Sequence, residues 1–258
     1  MSASQPLATA NAFSPVVVIP VYNHEGAIGA MLDGVLRQGA PCLLVDDGSD
    51  AACARVLDAL AVANPGTVSL LRLPFNQGKG AAVVAGLREA SRRGHTHALQ
   101  IDADGQHDPA DIPGFLADAR AHPDAVICGC PRYDASVPKL RYYGRYATHV
   151  WVWINTLSFD IRDGMCGFRV YPLTPTLALL DNQRIGARMD FDVDILVRLH
   201  WRGVPVRNRE TRVTYPSDGV SHFDVWRDNL RISRMHATLF LGMLLRSPWL
   251  LARRLRRA

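Results

Sequence analysis

The sequence predicts an α/β protein built on a mainly parallel central sheet. Two observations carry that expectation. Short apolar runs rich in β-formers alternate with helix-like segments of 12 to 14 residues between Val16 and Cys130, and some of the runs, such as 16–20, are apolar throughout. Strand–helix alternation brings successive strands together in parallel. Strands without a polar side belong to a sheet covered on both faces.

The strands are read at 16–20, 42–46, 68–73, 98–102 and 125–130, and the helices at 25–38, 51–64, 80–93 and 111–122, where apolar residues recur near the helical period. Beyond Cys130 the rhythm breaks. An aromatic-rich helix is expected at 140–159, a strand at 165–171, a helix at 189–201 and a short strand pair at 204–213. Two amphipathic helices, at 224–245 and 248–257, complete the chain. With no internal repeat and no linker, the expected organisation is a flexible N-terminus at 1–14, one catalytic domain at 15–220 and a C-terminal amphipathic appendage at 221–258.

Composition narrows the class. The chain has 258 residues, 48% apolar and 21% charged, so it can bury a substantial core and is no disordered segment. Its net charge is +5, with lysine only at Lys79 and Lys139 and arginine everywhere else. A GC-rich genome accounts for much of that bias; arginine's planar fork also suits phosphate groups. Cys42, Cys53, Cys128, Cys130 and Cys166 show neither zinc spacing nor a dense disulfide framework, so reduced, buried thiols in a cytosolic protein are expected. The first residues lack a basic start followed by an apolar stretch, so no signal peptide is expected. No stretch reaches the ~20 apolar residues of a spanning helix. A nucleic-acid partner is disfavoured, because the basic residues gather at one tail beside apolar helices and not among exposed aromatic platforms.

In parallel sheets, ligands bind beyond the carboxyl ends of the strands. Polar clusters stand at those ends: Pro20–Glu25 (PVYNHE), Asp46–Ser49 (DDGS), Asn76–Gly80 (NQGKG) and Asp102–Asp108 (DADGQHD). Asp102 and Asp104, two residues apart where a buried strand ends, point to the same side of an extended chain. With a nearby amide they form a hard-oxygen cluster suited to Mg²⁺ or Mn²⁺, completed by water and substrate phosphate; an Asp-rich solvated turn is the plainer reading. Asp46 and Asp47 are more than a helix cap needs, and one of them could accept a hydrogen bond from a nucleobase or ribose. The Gly78-Lys79-Gly80 loop is no Walker motif, for it lacks the upstream glycine. Lys79 is nonetheless placed to meet a phosphate or ribose.

Together, Ile19-Pro-Val-Tyr-Asn23, Val45-Asp-Asp-Gly-Ser49, Asn76-Gln-Gly-Lys-Gly80, Asp102-Ala-Asp-Gly-Gln-His107 and Asp163-Gly-Met-Cys-Gly-Phe-Arg169 resemble the family-2 inverting glycosyltransferases. The nearest branch is that of the dolichol- and polyprenyl-phosphate sugar transferases. The motifs follow family order over residues 15–216, roughly three-quarters of the chain. The resemblance implies a GT-A fold, a nucleotide-sugar donor and a lipid-linked acceptor. It implies that Pro20, Tyr22 and Asp47 hold the nucleoside, that Asp102 and Asp104 lie between nucleotide and metal with Gln106 a further metal contact, and that Arg132 meets phosphate. The expected nucleotide site also takes in Glu25 and Lys79, and Arg169 and His222, the latter just before the C-terminal helix with Arg227 or Arg231, are further expected phosphate contacts. Two departures stand out. His24 intervenes between Tyr22-Asn23 and Glu25, and the metal loop reads His107-Asp-Pro109.

The expected reaction is an inverting, in-line transfer of a hexose to polyprenyl phosphate. Its alternatives are transfer to a hydroxyl of a glycolipid or other lipid, and a non-catalytic nucleotide-sugar-binding module. A nucleotidyltransferase is a further rival, but its Arg- and Gly-rich N-terminal loop is missing. A lipid phosphate needs no strong base, and Asp163 would then orient the acceptor. A hydroxyl would need Asp163 first, Asp192 second or Asp194 as base. Asp192 and Asp194 are also ordinary helix-start acids. From Arg227 onward eight arginines face one acid, Asp228. An apolar, tryptophan-bearing helix with that basic flank suits the cytoplasmic face of an anionic membrane; packing against the core or a second copy is the competing use. The expected location is cytoplasmic and peripheral, with a homo-oligomer as an option.

Overall fold

The structure, a computed structural model, describes residues 12–132, 139–214 and 224–256. His222 lies outside them, as do residues 1–11 of the expected N-terminal segment. The chain begins β1 (Pro15–Val21), α1 (Glu25–Arg37), β2 (Cys42–Asp46), α2 (Ala51–Ala63), β3 (Val68–Arg72), α3 (Lys79–Arg92) and β4 (His97–Gln100). A 3-10 turn at Pro109–Asp111 leads into α4 (Ile112–Ala121), then β5 (Val126–Arg132) and α5 (Lys139–Thr156). β6 (Arg169–Pro172), α6 (Leu173–Leu180), α7 (Phe191–Trp201), β7 (Val206–Arg212) and α8 (Val225–Leu255) follow.

The seven strands form one sheet in the order β3-β2-β1-β4-β6-β5-β7. β6 runs antiparallel to both β4 and β5, and the other pairs are parallel. Alternate residues of β1 serve opposite faces, as the period of two requires. Val16 and Val18 join Leu43, Val45, Val83 and Leu87 on one side. Val17, Ile19 and Val21 join Ile28, Leu32 and Phe115 on the other. The continuous apolar runs therefore fill two cores. Because β1 to β4 are parallel, their carboxyl ends open on one rim.

Several local expectations change. Residues 204–213 form one strand, β7, paired with β5, and no strand pair. The turn at 163–168 occupies the first part of the expected strand at 165–171. Helix α6 follows β6 directly, its apolar run Leu177, Leu179 and Leu180 too short to declare a helical period. The two C-terminal helices are one, continuous through Pro248. Proline lacks the N–H that would bond the Leu244 carbonyl, and Ser247 Oγ donates to that oxygen instead at 2.9 Å. Helix α8 is also part of the core: Met235, Leu239, Met243 and Leu250 are buried, and Arg253 Nη1 donates to the His200 carbonyl at 2.7 Å.

Candidate active site

The site is organised around Lys79, the first residue of α3. Its ammonium donates to Asp102 Oδ2 at 2.8 Å and Asp192 Oδ2 at 3.0 Å. Asp192 Oδ1 accepts from Gln100 Nε2 at 3.2 Å, and Gln100 Oε1 accepts from the Tyr171 hydroxyl at 3.1 Å. A continuous polar chain thus runs from Tyr171 through Gln100, Asp192 and Lys79 to Asp102. Burial alone would lower the pKa of Lys79, but the charges of Asp102 and Asp192 outweigh it and keep the ammonium protonated. Asp102 is held below its ordinary range by Lys79 and His107 against the opposing effect of burial. Its Oδ1 is buried with no hydrogen-bond partner.

Asp104 stands in the same loop with Oδ1 accepting from Gln106 N at 3.0 Å. Burial and the neighbouring Asp102 charge raise its pKa. His107 is buried, its pKa lowered by burial against the pull of Asp102 and Asp104, and its Nδ1 has no hydrogen-bond partner. Among the described residues, no three His, Cys, Asp or Glu side chains converge as a preformed metal shell. Two repelling carboxylates, one with an orphaned oxygen, nonetheless fit a hard divalent ion that takes the rest of its shell from substrate and water.

Close backbone approaches explain the glycines. A Cβ on Gly167 would lie 2.3 Å from Asp102 Oδ2 and 2.7 Å from Lys79 Nζ. Cβ atoms on Gly78 and Gly80 would meet the Ala187 carbonyl oxygen at 2.5 Å and Phe191 Cβ at 2.5 Å, and Gly78 has φ +103°. The 76–80 loop is therefore shaped to seat the 186–191 segment, which carries Asp192 behind it.

Asp47 is bonded to the neighbouring strand-end loop. It accepts from Gln77 N and Gly78 N, both at 2.8 Å, and from Asn76 Nδ2 at 3.2 Å. The carboxylate is buried and anchors the loop bearing Lys79. Asp46 is likewise internal, bonded to Ser49 N and Arg72 Nε. Asp50, not either of these acids, caps α2. Beyond β1, Pro20 is buried, Tyr22 half-buried and Glu25 exposed in the first turn of α1. Asn23, with φ 51°, links this turn to the 48–50 turn: its N donates to Ser49 Oγ at 3.1 Å, and its Oδ1 accepts from Asp50 N at 2.9 Å.

In the turn before β6, Asp163 is buried and saturated. Oδ1 accepts from Met165 N, Cys166 N and Arg145 Nη2 at 2.8 to 2.9 Å; Oδ2 accepts from Arg145 Nε at 2.8 Å and lies 3.3 Å from His149 Nε2. Burial would raise its pKa, but His149 and the Arg145 guanidinium hold it well below the carboxylate range. Asp163 thus anchors the turn. Arg169 is turned inward. It is fully buried, donating to the Asp192 and Gly164 carbonyls, and presents no fork to a phosphate at the surface. Arg132 is exposed and paired with Glu210. Asp194 is bonded to Arg198 Nε and Gly186 N. Gln100, Arg145, His149 and Gly167 are site residues that the sequence reading missed. Only Gly167 had a signal, as the glycine of the Cys166–Arg169 motif.

Asp163→Asn is expected to destabilise the fold by about 3 kcal/mol at pH 7, since it strips a buried cation of its partner. The folded pKa is depressed, so this contribution is complete above about pH 4 and fades as pH falls below it. Urea melts of both proteins should diverge fully at pH 7 and converge in acid; a constant gap would contradict the assignment.

The solvent side of α8 carries Trp226, Leu230, Leu241, Leu244, Leu251 and Leu255, all exposed. It continues across the Trp151–Phe240 edge contact, with centroids 6.1 Å apart, onto exposed Val150, Trp151 and Ile154 of α5. Arginines 227, 231, 234, 246, 253, 254 and 256 accompany it, while the helix's one acid, Asp228, is buried. No helix among the described residues is long and apolar enough to cross a membrane.

The profile of Glycosyl transferase family 2 matches residues 16–183. An undecaprenyl-phosphate mannosyltransferase of Micrococcus luteus is 30% identical over 191 residues, covering 71% of this chain and 76% of its own. A polyprenol monophosphomannose synthase of Mycolicibacterium smegmatis is 33% identical over 172 residues, 60% of either chain. Among solved structures, glucosyl-3-phosphoglycerate synthase from Mycobacterium tuberculosis, in complex with Mn²⁺ and UDP-glucose, has a TM-score of 0.66 at 13% identity and covers 90% of this chain and 79% of its own. At that identity the likeness is one of fold, the GT-A fold.

Proposed function

The chain belongs to glycosyl transferase family 2, and we propose that it moves a hexose from a nucleoside-diphosphate sugar to polyprenyl phosphate with inversion at the anomeric carbon. One observation carries the choice of acceptor. Asp163, Asp192 and Asp194, the three acids that could serve as a general base, are each already held by a cation and by neutral donors. A hydroxyl acceptor would need one of them free. A lipid phosphate arrives ionised and attacks without a base. Its oxygen forms the bond to the anomeric carbon as the bond from that carbon to the donor diphosphate breaks.

Pro20, Tyr22 and the first turn of α1 would flank the nucleoside, Lys79 would neutralise phosphate charge, and Asp102 and Asp104 would hold Mg²⁺ or Mn²⁺. When bound, the ion offsets the charge of the departing diphosphate. Gln106 would support Asp104 through its backbone N–H, and Arg132 would swing from Glu210 to a phosphate at the rim. Asp192 would stay fixed by Lys79 and Gln100 as the wall facing the sugar. A panel of UDP- and GDP-hexoses offered with polyprenyl phosphate or a hydroxylated lipid, scored by organic extraction, tests this reading. Label in polyprenyl phosphate alone is expected; label in the hydroxylated lipid alone contradicts the acceptor assignment.

The apolar side of α8 and α5, with its arginines, supports peripheral contact with an anionic leaflet such as the cytoplasmic one. Leu241→Glu with Leu244→Glu alters solvent-facing positions and should weaken sedimentation with anionic vesicles by about tenfold or more. Unchanged sedimentation of a folded double variant counts against the contact.

A further inference from the structure

Lys79 is one of two lysines in a chain that otherwise uses arginine, and its surroundings explain why. Its ammonium spans Asp102 Oδ2 and Asp192 Oδ2 at 2.8 and 3.0 Å with the side chain 20% exposed. The backbone of Gly167 closes the space so tightly that a Cβ there would come within 2.7 Å of Nζ. A compact ammonium fits where a planar guanidinium would not. The same ammonium occupies one oxygen of Asp102 and leaves the other, Oδ1, buried and unpartnered. Asp102 is thus half-engaged by a resident cation and half-open to another.

We propose that Lys79 is a built-in counter-cation that bars free divalent ion from Asp102 and admits it only together with the donor's diphosphate. The inference rests on the donor site proposed above and adds an order of binding to it. A divalent ion placed beside Asp102 and Asp104 meets the positive charge of Lys79 at close range, in a partly desolvated setting where repulsion is poorly screened. The diphosphate brings the negative charge that lets both cations share the site. Removing the ammonium leaves Asp102 and Asp192 uncompensated near each other and draws in the free ion. Lys79 also ties the donor-side acid to Asp192, so the acceptor wall and the ion site are set by one side chain.

The test is Mn²⁺ binding by the full chain, read from the electron paramagnetic resonance signal of free Mn²⁺, with and without UDP and, in parallel, GDP. For the wild type, at least one diphosphate should tighten Mn²⁺ binding by about tenfold or more. Lys79→Met should bind Mn²⁺ alone about tenfold more tightly than wild type and respond little to diphosphate. If that variant fails to fold by circular dichroism, Lys79→Gln takes its place with the same expectation. A folded variant that binds Mn²⁺ alone no better than wild type and keeps the diphosphate effect overturns the gate, and leaves the metal site standing. Wild type that binds no Mn²⁺ even with both diphosphates overturns the metal reading and this inference with it.

Discussion

Asp104→Asn is expected to lower sugar transfer by about a thousandfold or more while leaving the melting temperature unchanged or slightly raised. The asparagine side chain keeps an oxygen for the Gln106 N–H that Asp104 Oδ1 accepts at 3.0 Å. No structural hydrogen bond to that oxygen is lost. What disappears is a negative charge beside Asp102, which burial and that neighbour already disfavour in the fold. Stability therefore gains a little where chemistry loses its ion ligand. Mn²⁺ binding in the presence of the diphosphate should fall in parallel with transfer. Near-normal transfer by a folded Asp104→Asn protein contradicts the assignment of this carboxylate to the ion.

Gly167→Ala should cost at least about a hundredfold in transfer, with a stability loss of no more than about 1–3 kcal/mol. The added methyl meets the ends of two flexible side chains, Asp102 Oδ2 at 2.3 Å and Lys79 Nζ at 2.7 Å, and its three nearest neighbours are all side-chain atoms. The fold yields by moving those ends, and the site is what moves. Gly29→Ala on α1 is the matched control, beyond the first turn and with nothing within 4 Å of its Cβ; there alanine should be neutral or stabilising by up to about 1 kcal/mol. Transfer rates and melts of the two variants separate a damaged site from a damaged fold. Equal activity in both contradicts the close approach at Gly167.

The rim of strand-end loops was legible because both its causes are local. Apolar runs announce buried strands, and in a parallel sheet their polar ends must converge. Asp102 and Asp104 could be picked out for the same reason, standing just beyond such a run. Partnership across the chain was not legible. Lys79 meets one acid 23 residues away and another 113 away, and nothing in a sequence says which carboxylate a lysine will reach. An acid at a strand end can face a nucleoside or its own neighbouring loop, and nothing local announces that the backbone of Gln77 and Gly78 donates to Asp47. The direction of Arg169 was not legible for a similar reason. Its motif is at the site, but register opposite Gln100 in β6 turns its guanidinium inward to two carbonyls. Pro248 marked an expected break that one serine hydroxyl removes.

The most direct measurement combines the purified chain, a radiolabelled nucleoside-diphosphate hexose, polyprenyl phosphate and Mn²⁺, and follows both phases over time. The account predicts that nucleoside diphosphate appears in the aqueous phase mole for mole with labelled sugar in the organic phase, and that the anomeric configuration of the product is inverted relative to the donor. Donor that binds but is never cleaved, or diphosphate released with no label in lipid, would contradict it.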